Sequence, residues 1–155
     1  MNPNKKIRRL QSLLYTSGVG TILFSLWSGI KGAGVLYGTF KSGFTDGNKI
    51  ITDKRMIAAI VIFFILIFGG SILMYIYIGR KAILTALGEK TSNKYIVLSI
   101  LILVLSVITY GRSLLGFTVS DWFKLDNLVI TAINLTSDVI LAETIVFSIM
   151  LKKLR

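Results

Sequence analysis

The chain has 155 residues, 54% of them hydrophobic, with a formal net charge of +11. Soluble domains average about 45–50% apolar on a count that also includes glycine. Here the apolar residues are clustered into long runs rather than spread at core periodicity, which argues for membrane helices over a large soluble core. With no cysteine and no histidine, disulfides, thiol chemistry and axial haem histidines are excluded, as are the commonest general base and metal ligand.

The first nine residues, MNPNKKIRR, form a basic tail. The apolar run from Leu10 to Ile30 follows. Basic tail, apolar run and small residues at 32–34 together look like a secretory signal, but a signal core spans about 7–15 residues. This run is longer, so a retained helix is expected over about 10–38. Ser17, Thr21, Ser25, Gly29 and Ala33 recur at every fourth position and share one helix face. In lipid, small residues let two backbones approach closely, so this face should pack on another helix or on a second copy. Trp27 and Lys31 lie one turn apart near the far end and read as interfacial anchors. The helix either continues to about Phe40 or breaks at Gly32–Gly34. Thr45-Asp46-Gly47-Asn48 is turn chemistry, and a short hairpin fits there.

A second helix is expected over about 56–79, capped by Asp53. Gly69 and Gly70 in its middle are a candidate close-approach point, and Arg80 and Lys81 stop the span. Gly88 ends any continuation of this helix. A third helix is expected over about 95–117. Its polar end carries Arg112, the arginine best placed to face inward. Trp122, in the connection that follows, reads as another interfacial anchor.

The fourth helix, about 128–151, is apolar enough to cross a bilayer and yet contains Asp138 and Glu143. Asn127, Thr131, Asn134 and Asp138 fall on one narrow face at 100° per residue. Charges at mid-membrane are costly, so this face should meet protein or water rather than lipid. Glu143, five residues on, lies about 140° round the helix. The two acids should therefore serve different neighbours: Arg80 or Lys81 for Glu143, and Arg112 or a bound proton for Asp138. The intramembrane set Asn134, Asp138, Glu143 and Arg112 is the candidate proton or cation site. Its alternatives are interhelical glue and a docking point for a basic membrane partner.

The expected fold is all-α: one membrane domain over 1–155, a polytopic protein with four transmembrane helices in an up-down bundle. Eleven of the eighteen basic residues fall in the first nine residues, in 80–94 and in 152–155, so the positive-inside rule puts both termini in the cytoplasm. Much lysine, isoleucine and asparagine with one proline fits a bacterial plasma (inner) membrane.

The expected partners are anionic lipid headgroups, and either a second copy (a homo-oligomer) or another membrane protein. No nucleic acid is expected, because no basic face is free of the membrane runs. No catalytic residue, metal or cofactor is expected: G-x-S-x-G, H-E-x-x-H and phosphate-loop patterns are missing. The chain reads as a non-enzymatic membrane subunit, regulator or immunity-type protein. The alternative is a small oligomeric proton- or cation-coupled transporter using Asp138.

Overall fold

A computed structural model describes residues 3–43, 45–46, 49–50, 53–115 and 125–154, with side chains except at 3, 42, 45–46, 49–50, 110, 112–115, 125–128 and 130. Four helices dominate: α1 (Pro3–Ser42), α2 (Lys54–Ala86), α3 (Lys94–Leu115) and α4 (Leu125–Lys153). Between α1 and α2, β1 (Thr45–Asp46) pairs antiparallel with β2 (Lys49–Ile50), Thr45 opposite Ile50. Three of the helices, α1, α2 and α4, are long and apolar enough to cross a membrane, so this is a membrane protein. In α3 the described apolar stretch, Lys94–Thr109, is shorter.

Local chemistry sets the helix ends. Asp53 caps α2 by accepting the Arg55 N–H at 2.9 Å, while its carbonyl takes the Ile57 N–H; this satisfies a donor that the first turn leaves orphaned. At the other end α2 runs past Arg80 and Lys81, because a helix need not stop where its apolar run does. It closes with Glu89 N–H on the Leu84 carbonyl and Gly88 N–H on the Thr85 carbonyl. That pair of bonds is a Schellman cap, and it needs the positive φ of 102° that Gly88 supplies. Helix α1 passes through Gly32–Gly34 unbroken.

The chain packs as two compact units, Met1–Ile22 with Tyr77–Arg155, and Leu23–Ile76. The unit boundary falls inside α1 and inside α2. In the first unit, Leu10, Leu14, Ala82, Ala86, Tyr95, Ile96 and Leu151 form a buried cluster, with Ile7, Ile145 and Phe147 packed on it. The start of α1, the end of α2, the start of α3 and the end of α4 therefore converge at one end of this unit. Among the glycines there, Gly18 of α1 and Gly79 of α2 meet backbone to backbone. A Cβ on Gly18 would lie 2.9 Å from the Gly79 carbonyl oxygen, and one on Gly79 would lie 2.6 Å from the Gly18 carbonyl oxygen.

In the second unit, Gly29 meets Ile72, and a Cβ on Gly32 would strike the Phe68 ring, which itself stacks on Phe64. Most large apolar side chains of this unit are exposed, among them Leu23, Ile30, Phe63, Leu66 and Leu73. In a membrane, lipid covers such surface at no hydrophobic cost.

Two packing expectations need correction. Ala33 is exposed, and the buried neighbour is Gly32, because the side that receives the Phe68 ring is one residue out of register with the every-fourth stripe. Gly69 and Gly70 make no close approach within this chain among the described residues: a Cβ on either would meet nothing within 4 Å. Ser17, Thr21 and Ser25 are buried and Gly29 is half-buried.

Candidate functional site

Helix α4 is the element that carries acids within a membrane-length run. Asp138 is thirteen residues from its start and fifteen from its end, so about 20 Å from either at 1.5 Å per residue. C-terminal to it, Leu141, Thr144, Ser148 and Leu151 are buried, at offsets of three, four and three. That spacing is one face of a helix.

The polar set lies beside this buried face. Thr131, Asn134 and Asp138 are all half-buried. The Oδ1 atom of Asp138 is closed off from the outside and has no hydrogen-bond partner among the described residues; the same holds for Ser148 Oγ. Two hydroxyls on this helix are satisfied within it: Thr144 donates to the Ile140 carbonyl and Thr136 to the Ala132 carbonyl. A carboxylate has no such recourse, since it only accepts and the carbonyls of its own helix cannot donate. The expected meeting of Asp138 with Arg112 falls on a side chain outside the described residues, as do the side chain of Asn127 and the whole of Trp122.

Glu143 has a different neighbour. Its Oε2 accepts the Ser17 hydroxyl of α1 at 3.0 Å. Arg80 and Lys81 are not its partners, because the turn of α4 that carries Glu143 faces α1. One turn earlier, Ile140 of α4 packs beside Gly20 of α1. Within α1, Thr21 donates to the Ser17 carbonyl. Trp27 and Lys31 are both exposed.

A second polar cluster escaped the sequence reading. Lys152, near the end of α4, donates to the Thr91 carbonyl at 3.0 Å and to Asn93 Oδ1 at 2.6 Å, with its ammonium 5.3 Å from the centre of the Tyr95 ring. Asn93 is the residue from which α3 starts: its carbonyl accepts the Ile96 and Val97 N–H groups. Beneath it, Tyr95 is fully buried and its hydroxyl bonds Thr85 Oγ1 at 3.0 Å. Thr85 donates its single proton to the Lys81 carbonyl, so it accepts from Tyr95 and from Thr91. Lys152 thus ties the end of α4 to the α2–α3 turn. The sequence signal was weak, since a lysine closing a membrane helix reads as a headgroup anchor.

Among the described residues no three acids gather in a way that would hold a metal ion. What the arrangement can do chemically is accept: a proton, a cation or a donor from another helix, at Asp138. No protein-family model matches the chain, and no curated protein or solved structure matches it either.

Proposed function

We propose that the chain is a multi-pass protein of a bacterial plasma membrane, and that it works without catalysis, as a subunit, regulator or immunity-type protein that docks a membrane partner through α4. The reading has four spans in up-down order with both termini cytoplasmic. Supporting the fourth span, α3 has 22 residues, about 33 Å at 1.5 Å per residue against a hydrocarbon core of about 30 Å. Supporting the orientation, the segments rich in lysine and arginine adjoin the end of the first unit where α1 starts and α4 finishes.

One observation carries the docking role: Asp138 is half-buried in the middle of a membrane-length helix, and its Oδ1 has no hydrogen-bond partner among the described residues. A charged side chain at mid-bilayer costs about 2.5–3.5 kcal/mol on insertion scales. A donor from a partner helix offsets that cost only in the complex. The same atom favours a second reading, in which Asp138 takes and releases a proton as part of ion- or proton-coupled transport.

Asp138→Asn separates the two. Site-directed photocrosslinking from α4 in native membranes should give wild type one discrete adduct of defined mass, lost in the variant. Only self-adducts, unchanged by the substitution, would sink the docking role. Proteoliposomes loaded with a pH-sensitive dye test the second reading: it requires a flux that the variant abolishes while remaining folded.

A further inference from the structure

At the end of the first unit where the helix ends converge, a groove of about 360 Å³ opens between the start of α3 and the end of α4, lined by Asn93, Ile96, Val97, Ile149, Lys152 and Lys153. Its two halves differ in chemistry. Lys152 and Lys153 make one half cationic. The Lys152 ammonium is held in place by two neutral oxygens, of Thr91 and Asn93, which orient its charge without cancelling it. An ammonium has three donors; the two oxygens take two of them, and the Tyr95 ring, 5.3 Å from the ammonium, adds a neutral contact that likewise leaves the charge uncancelled. Lys153 is exposed. The other half is apolar, and it continues out of the groove along α3. Val97, Leu101, Val104 and Ile108 are all exposed, Val97 at 64%, and their offsets of four, three and four put them on one helix face. From Val97 to Ile108 that stripe runs about 16 Å at 1.5 Å per residue, which matches one leaflet of a hydrocarbon core about 30 Å thick.

We infer that this groove is a binding site for one anionic phospholipid, its phosphate between Lys152 and Lys153 and an acyl chain along Val97, Leu101, Val104 and Ile108. An acidic peptide would use the lysines but leave the 16 Å apolar stripe uncovered. A neutral lipid would use the stripe and leave the oriented ammonium unanswered. The inference rests on the membrane reading of the chain and is independent of the role given to Asp138.

The test uses the full chain purified in an uncharged maltoside detergent. Native mass spectrometry counts retained lipid, and thermal unfolding is followed while phosphatidylglycerol, phosphatidylcholine or inorganic phosphate is added. One phosphatidylglycerol per chain is expected, held at least fivefold more tightly than phosphatidylcholine, with inorganic phosphate giving no stabilisation. Lys153→Gln, which removes no hydrogen bond seen in the structure, should weaken phosphatidylglycerol about fivefold, the factor that corresponds to about 1 kcal/mol per lysine near an anionic surface. Val97→Trp fills the apolar half from an exposed position and should abolish retention with the fold intact by circular dichroism. Equal retention of the two lipids, or no effect of either variant, overturns the site. Stabilisation by inorganic phosphate alone overturns the lipid assignment. A chain that stays monodisperse once the detergent is removed contradicts the membrane reading instead, and is seen before any lipid is added.

Discussion

At the residue scale, two carboxylates five positions apart on one helix have opposite circumstances. Glu143 has a donor and Asp138 has none among the described residues. The separation follows from helix geometry, since five residues turn a side chain about 140°. The identity of the donor does not follow from it, because Ser17 is 126 residues away in sequence. Hydrogen bonds between membrane helices average about 0.6 kcal/mol and reach about 1.7. Ser17→Ala should therefore lower unfolding stability in bicelles by up to about 1.7 kcal/mol. Glu143→Gln keeps an accepting oxygen and should cost less than half as much. Equal losses in the two variants would mean that the charge of Glu143, rather than its bond to Ser17, holds α1 and α4 together.

At the element scale, what was legible in the sequence is what neighbouring residues decide among themselves. Asp53 caps α2 and Gly88 closes it, because each cap uses groups within five positions of it. The apolar runs announced the helices for the same reason. Which small residues meet was not legible. The every-fourth stripe of α1 names a face, but Gly18 and Gly32, each one position off that stripe, make the tightest approaches, and on α2 the partner is Gly79 rather than Gly69 or Gly70. A helix face shows that close packing is possible, and the crossing point depends on where the partner helix lies. The consequence is measurable. Gly79→Ala drives a Cβ into the backbone of α1 and should destabilise the protein by about 2 kcal/mol, in the range for overpacking, read as denaturant unfolding in micelles. Gly70→Ala enters open space and should be neutral within about 0.5 kcal/mol. A Gly79→Ala protein as stable as wild type would refute the backbone contact.

At the scale of the whole molecule, the first unit is built from both ends of the chain, Met1–Ile22 and Tyr77–Arg155. The candidate site shares this non-local character, which is why Lys152 was missed: its acceptors at 91 and 93 lie about sixty positions upstream. The proposed topology is directly testable, because the chain has no cysteine and accepts single reporters on a silent background. Glu89→Cys and Leu154→Cys should both react with a membrane-impermeant maleimide only from the cytoplasmic face of oriented vesicles, and Asp53→Cys only from the opposite face. Labelling of all three from one face would rule out up-down order.

The bond between Ser17 and Glu143 also sets a timetable. At about 5–20 residues per second, the ribosome needs roughly 6 to 25 s to add the 126 residues that separate them. On the proposed four-span topology, the α1 seam sits in the bilayer for that time without its acid. A hydroxyl tolerates the wait, since serine and threonine can lend their proton to a carbonyl one turn back in their own helix, as Thr21 does with Ser17. A carboxylate made first would have no such shelter. Placing the hydroxyl on the first helix and the acid on the last lets the early half of the pair enter the membrane already satisfied, and the costly half arrives when its donor is in place.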